Sequence, residues 1–172
     1  MKTGRPPQWN PVATLSDTTW TEVVSVTSKS RVQLPMSARA RLNWGSATKP
    51  LALLARLEPD KSARLEPWDP AGEVVMGAIE AMLASEPEPG RAELAIVAMD
   101  RYVKVTLDPD GRITMPANLA HHIDAVGKDA VRVIVSDGRL RLWSEIAWQL
   151  DRSSRLRSLG ERLLDIEKSL EN

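Results

Sequence analysis

The same pattern of residues occurs twice in this chain, and the second copy lies 81 positions after the first. Each copy has two alternating apolar runs separated by a polar stretch, followed by a proline and a short segment that ends on an apolar residue. The matched positions are Val24 with Val105, Val26 with Leu107, Arg31 with Arg112, Val32 with Ile113, Leu34 with Met115, Pro35 with Pro116, and Leu42 with Ile123. Such a constant offset indicates an internal duplication, so the fold is expected to contain two copies of one unit.

Each copy is expected to form a β-hairpin, a short helix and a further pair of strands. Apolar and polar residues alternate on both sides of the polar stretch 27–31, which predicts a strand, a turn and a second strand. Pro35 then opens a short helix, because proline is tolerated at the first helical position. The apolar run 51–57 predicts a strand, and Asp137-Gly138 predicts a hairpin turn in the second copy.

Helical patterns lie between the two copies and after the second one. Apolar residues recur at spacings of three and four within 73–84, which predicts an amphipathic helix, and the run 85–90, with two prolines and a glycine, predicts a linker. The run 92–99 fits either a helix or a strand. Ser144 stands where a helix N-cap is expected.

A stripe of apolar residues follows near the C-terminal end, with successive steps of three, four, three and four. Over two heptads this is the a/d pattern of a helix that packs along one side. Packing on the chain's own body and contact with another subunit both fit the stripe. Its members are Leu156, Leu159, Leu163, Ile166 and Leu170.

These elements predict an α+β fold in which two tandem β repeats pair into one pseudo-symmetric, barrel-like core with peripheral helices and a C-terminal helix. With no Phe and one Tyr in the chain, the six Trp residues are expected to be large core residues. The expected segments are a disordered tail at 1–19, a first repeat with its helix at 20–85, a linker and connecting segment at 86–100, a second repeat at 101–150 and an amphipathic C-terminal helix at 151–172.

Composition excludes several kinds of protein. The chain has 172 residues and no Cys, which excludes disulfides, Cys-ligated zinc and thiol catalysis. No apolar run approaches the roughly 20 residues that cross a bilayer, and the first residues lack the apolar segment of a secretory signal. We therefore expect a cytoplasmic protein with no membrane partner.

An enzyme is the kind of function that the sequence supports least. No spaced pair of carboxylates is accompanied by a nucleophile or base, and no glycine-rich phosphate or dinucleotide motif occurs. His121 and His122 are adjacent, so they lack the i, i+4 spacing of a zinc-binding pair. We expect no catalytic residue, no metal, no cofactor and no small-molecule substrate.

Charge is unevenly distributed along the chain, although 23 basic and 23 acidic residues give a formal total of zero. Residues 20–56 carry +5, whereas residues 57–100 carry −7. A binding partner experiences this local distribution rather than the sum. The neutral total therefore excludes a uniformly basic protein but is compatible with one basic edge that binds nucleic acid.

The segments Val26–Pro35 and Leu107–Pro116 resemble the start of an AbrB-type swapped-hairpin DNA-binding domain. Two such units in one chain, the second closing on a strand that ends at Trp143, are similar to the MraZ family over residues 22–150. The resemblance implies two swapped-hairpin repeats and a sequence-specific DNA-binding transcriptional regulator, such as a repressor. It also implies a homo-oligomer, for example a ring, that acts on repeated sites in the nucleoid.

The motif of that family is an Asp followed, after three residues, by an Arg, and the second copy retains it as Asp108 and Arg112. Gly111 precedes the Arg, so the resemblance implies that Asp108 and Gly111 support the motif. The first copy keeps the Arg as Arg31 but has Thr27 in place of the Asp and a serine in place of the glycine. In such domains basic residues also line the short helix after the proline, and the first copy keeps Arg39 and Arg41 there, whereas the second reads Leu119-Ala-His-His-Ile. The resemblance therefore implies that DNA contact depends mainly on the first copy.

Five basic residues are candidates for DNA contact, because binding to phosphate requires positive charge. Arg31 would project from a β-ribbon that can enter a major groove, where Arg bonds guanine, and Lys29 would reach a phosphate. The alternative for Arg31 and Arg112 is an internal ion pair that stabilises the turn. The candidates are Lys29, Arg31, Arg39, Arg41 and Arg112.

Two other functions fit the same sequence. An AbrB-like antitoxin would bind both DNA and a toxin partner, with the C-terminal helix as the contact to the toxin. A ring-forming scaffold that has lost DNA binding would account for the altered motif in the first copy and for the neutral total charge.

Overall fold

The computed structural model describes residues 18–45, 48–126 and 130–171. Within these ranges the chain forms eight β-strands and five α-helices. The strands are β1 (Thr19–Ser25), β2 (Arg31–Gln33), β3 (Leu51–Glu58), β4 (Ser62–Pro67), β5 (Tyr102–Leu107), β6 (Arg112–Thr114), β7 (Ala130–Ser136) and β8 (Arg139–Ser144). The helices are α1 (Met36–Arg41), α2 (Trp68–Ser85), α3 (Gly90–Arg101), α4 (Ala117–His122) and α5 (Glu145–Leu170).

All eight strands belong to one antiparallel sheet in the order β1-β7-β8-β4-β3-β5-β6-β2. The chain segments at the two edges of the sheet meet again where Val26, just after β1, forms an antiparallel bridge with Val32 of β2. The sheet is therefore a nearly closed barrel, and this closure protects its edge strands from pairing with other chains.

The two copies of the duplicated unit exchange strands with each other. The first strand of each copy pairs with the third strand of the other copy, β1 with β7 and β5 with β3. This exchange relates the two copies by a pseudo-two-fold axis, across which β2 pairs with β6 and β4 pairs with β8. The predicted α+β fold, with two tandem swapped-hairpin repeats in a barrel-like core and peripheral helices, is confirmed.

Both copies contribute to a single apolar interior. Val32 and Ile113 are fully buried partners at the centre of the β2–β6 ladder. Val133 and Leu142 are fully buried partners in the β7–β8 ladder. Since alternate residues of each strand face inward, the period-two pattern of the sequence becomes the lining of the barrel.

The prediction that the Trp residues form the core is wrong for most of them. Among the described residues, Trp20 is the one Trp that is buried, and Trp9 lies outside those residues. Trp143 and Trp148 are partly exposed and pack edge to face, with their ring centroids 5.0 Å apart. The narrow barrel interior is filled by Leu and Val, because indole rings are large and carry an N–H group that needs a partner.

Several element boundaries differ from those predicted. The helix predicted at 73–84 begins at Trp68, and the ambiguous run 92–99 lies inside α3, so most of the expected connecting segment 86–100 is helical. The predicted N-cap at Ser144 is confirmed, because its Oγ accepts a hydrogen bond from Ala147 N–H at 3.1 Å, and the C-terminal helix therefore begins at Glu145 and not at residue 151.

The expected disordered tail covers residues 1–19. Residues 1–17 lie outside the described residues, and Thr19 is already the first residue of β1. None of the helices in the described ranges combines the length and the apolar character that crossing a membrane requires.

Candidate nucleic-acid interface

The short ladder between β2 and β6 has a polar outer side. In this ladder Arg31 lies opposite Thr114, and Gln33 lies opposite Arg112. The central residue of each strand is buried, so these four flanking side chains point to the outside of the barrel. They are termed the ladder face. Arg31 and Arg112 lie about 7 Å apart along the strand direction, which is two residues of a strand.

The turns that precede these strands have the same backbone geometry. The first turn comprises residues 27–31, and the second turn comprises residues 108–112. Thr27 N–H donates to the Arg31 carbonyl at 3.0 Å, and Asp108 N–H donates to the Arg112 carbonyl at 2.9 Å. In both turns the fourth residue has a positive φ, 55° at Ser30 and 82° at Gly111. The duplication therefore extends to the backbone of the turns.

In the second turn Arg112 is held by two carboxylates. Its backbone N–H donates to Asp108 Oδ1 at 2.9 Å, and its Nε donates to Asp108 Oδ2 at 2.8 Å. Its Nη2 donates to Asp110 Oδ2 at 2.9 Å. The backbone hydrogen bond from Arg112 is the main cause that lowers the pKa of Asp108, and the Asp108 carboxylate raises the pKa of Arg112. The internal ion pair is therefore present at Arg112.

The first turn lacks this ion pair. Thr27 Oγ1 accepts the backbone N–H of Arg31 at 3.3 Å, so the threonine replaces the hydrogen-bonding role of the Asp but not its charge. Within the described part of the chain, neither Lys29 nor Arg31 forms an ion pair with a carboxylate. The first turn thus carries two uncompensated positive charges, whereas the second turn, with Asp108, Asp110 and Arg112, carries a net negative charge.

The structure places Arg39 against the second turn, although it belongs to the first copy. Leu34 N–H donates to the Gly111 carbonyl at 2.8 Å, and this hydrogen bond places the start of α1 next to the second turn. A methyl group on Gly111 would lie 2.7 Å from Arg39 Nε. Gly111 therefore supports the motif in two ways, by its positive φ and by the room it leaves for Arg39.

The five candidate basic residues do not form one cluster. Lys29 and Arg31 lie at the first turn, and Arg39 lies at the second turn with Arg112. Arg41 turns back on its own helix, where its Nη1 donates to the Ser37 carbonyl at 2.8 Å. Sequence reasoning missed Gln33 and Thr114, although their alternation with buried residues could have indicated their outward position.

Other arginines of the barrel are paired with its own acidic residues. Arg56, Arg64 and Arg141 are direct cross-strand neighbours on β3, β4 and β8. Arg56 Nη2 lies 2.6 Å from Glu66, and Arg64 Nε lies 2.7 Å from Glu58. Part of the basic segment 20–56 and part of the acidic segment that follows it therefore compensate each other on the barrel surface.

The described ranges contain no candidate metal site. No three His, Asp or Glu side chains converge there in a way that could hold a metal ion. A ring nitrogen of His122 lies 2.7 Å from the Glu58 carbonyl oxygen, a contact that links α4 to β3.

The fold and the two turns define a chain of two strand-exchanged β repeats with a polar ladder face on the outside. No protein-family model matches the sequence, and no curated protein matches it. The ladder face and the turns beside it are the features of the molecule that bear on its function.

Proposed function

We propose that this protein is a sequence-specific DNA-binding transcriptional regulator of the MraZ type, which acts on repeated sites as a homo-oligomer in the nucleoid. One observation carries the proposal. The first turn keeps the backbone geometry of the second turn but has no carboxylate, so Lys29 and Arg31 retain their positive charge for a partner. Phosphate groups supply the complementary charge at regular spacing along a duplex.

The ladder face supports contact with base edges. A two-stranded β-ribbon fits the major groove, where Arg donates to guanine and Gln forms paired hydrogen bonds with adenine. Arg31 and Gln33 lie on the same side of β2 and are two residues apart. In this proposal they contact neighbouring base pairs, while Lys29 binds a phosphate and fixes the position of the ribbon.

The second turn has a different role in this proposal. Its two carboxylates are paired with Arg112, so the residues of this turn offer a phosphate less positive charge than the first turn does. Arg112 is already oriented by Asp108 and Asp110, so it acts mainly by holding the β2–β6 ladder in shape. One chain therefore offers few contacts, and useful affinity requires several copies on repeated half-sites.

A titration of the full chain with the DNA upstream of its own gene, at several salt concentrations, tests the proposal. We expect Arg31→Ala to weaken binding roughly tenfold and to reduce the salt slope by about one. Arg157→Ala is the matched control, since it removes an exposed arginine of α5. Equal effects of the two variants would exclude Arg31 as the contact residue.

A ring-forming or other scaffold is the second candidate function. The observation that favours it is the pairing of Arg112 with Asp108 and Asp110, which engages the arginine of the second turn within the chain. If the wild-type protein binds no DNA at any salt concentration in the same titration, the scaffold is the better description of this chain.

A further inference from the structure

The C-terminal helix α5 packs on the barrel only near its beginning. Glu145 forms an ion pair with Arg132 of β7 at 2.7 Å, and the guanidinium of Arg155 lies 5.3 Å from the ring centroid of Trp143 in β8. No residue of α5 is buried. The helix beyond Arg155 therefore displays its side chains to solvent over about 22 Å, at 1.5 Å per residue.

The apolar stripe of the sequence lies on this exposed part. The exposed fractions of its members run from 54% at Leu156 and Leu159 to 80% at Leu170. In heptad terms, the a positions are Leu156, Leu163 and Leu170, and the d positions are Leu159 and Ile166. A continuous apolar stripe exposed in this way indicates a surface that another molecule covers.

We propose that this stripe is the seam of a parallel coiled coil between copies of this chain. In a parallel arrangement all five apolar layers align, because each a or d residue meets the same residue of the second copy. The g position Arg162 then faces the e position Glu167 of the second copy. Such a favourable pair forms wherever the g side of one helix meets the e side of its neighbour.

An antiparallel arrangement is less favourable for the same residues. The register that aligns the stripe would pair Leu156 with Ile166 and would place Leu170 against Arg152. It would also bring Arg162 against Arg162 of the second copy, a like-charge contact. Charge and apolar layers thus both select the parallel arrangement, with the two barrels at the same end of the seam.

This inference concerns self-association and does not depend on DNA binding. The packing of Trp148 and Arg155 already anchors the start of the helix, so the seam extends a helix that is formed. The presence of Ile166 at a d position together with Leu at the a positions favours more than two helices in the seam. Several barrels held at one end of a seam would present several ladder faces together.

Light scattering on the full chain tests the seam with two matched substitutions. Leu163 and Leu164 are both exposed, at 62% and 52%, but Leu163 lies on the stripe and Leu164 lies beside it. We expect the wild type to exceed the monomer mass, Leu163→Glu to lower that mass, and Leu164→Glu to leave it unchanged. A monomeric wild type, or the same mass for all three proteins, would overturn the proposal.

Disulfide trapping tests the orientation, and the absence of Cys from the chain makes it clean. In a parallel seam, Leu170→Cys places two thiols in one layer, so oxidation is expected to give a covalent dimer. Lys168→Cys, on the outer side of the helix, is the control and is expected to give little covalent dimer on oxidation. Equal cross-linking of the two variants, or none, would overturn the parallel arrangement. DNA titration of the same proteins reports separately on the proposed function.

Discussion

We expect opposite effects on stability when the positive-φ residues of the two turns are substituted. Gly111 has a φ of 82°, and its hydrogen atom faces Arg39. A left-handed conformation costs an L-residue about 1–2 kcal/mol, of which the lower chain entropy of Ala returns about 0.5–1 kcal/mol. The methyl group of Gly111→Ala would also push Arg39 from its rotamer, at about 1 kcal/mol. The expected net destabilisation is about 2 kcal/mol.

Ser30 occupies the same place in the first turn, with a φ of 55°. Here glycine relieves the left-handed strain at the cost of its greater chain entropy. Ser30→Gly is therefore expected to stabilise the protein by about 0.5–1 kcal/mol.

The assay is urea denaturation followed by Trp fluorescence and far-UV circular dichroism, with the three proteins at one fixed concentration. A fixed concentration matters because self-association stabilises the folded state by mass action. The reasoning is refuted if Ser30→Gly destabilises the protein. It is also refuted if Gly111→Ala changes the free energy of unfolding by less than about 0.5 kcal/mol.

Two further predictions concern charge. Thr27→Asp places a carboxylate where the second turn has one, and this carboxylate should form an ion pair with Arg31. DNA binding should therefore weaken, and the salt slope should fall by about one. Unchanged binding in the DNA titration would contradict the role of Arg31. The hydrogen bond from Ser144, assisted by Lys61, lowers the pKa of Asp124 below 3.8. The stability that the ionised Asp124 carboxylate contributes is therefore fully present above its unfolded-state pKa of 3.8, and it is lost as pH falls through the lower folded-state pKa. Between pH 6 and pH 3, Asp124→Asn should lose less stability than the wild type in urea denaturation, and an equal loss would contradict this assignment.

Much of the local structure could be predicted from residue patterns. The alternation around the polar stretch 27–31 predicts the hairpin, and the prolines at 35 and 116 mark the starts of α1 and α4. The hairpin and the helix starts depend on residues that are neighbours in sequence, so each can be predicted from one short segment of the chain. The start of α2 at Trp68 could not be predicted from apolar periodicity, because Trp68, Asp69 and Pro70 precede the amphipathic stretch. The start of α5 at Glu145 is marked in the sequence by the N-cap residue Ser144.

The candidate site was only partly predictable. Arg31 and Arg112 occupy equivalent positions in the two copies, yet one is uncompensated and the other is held by Asp108 and Asp110. The missing acid at Thr27 is visible in the sequence, but the second partner, Asp110, is not a motif residue. The contact of Arg39 with Gly111 joins residues from different copies, and no local pattern indicates it.

The sequence by itself determined that the chain contains one unit twice, because the 81-residue offset aligns apolar, turn and proline positions together. It also determined which strand residues face inward, since side chains alternate along any strand. Only the tertiary structure decided that β1 pairs with β7 and β5 with β3, and that Arg39 lies on the turn of the other copy. The physical reason is that local patterns specify the conformation of a segment and which of its side chains are apolar. Strand partners, in contrast, are selected because pairing the two copies buries the apolar side of one against the apolar side of the other.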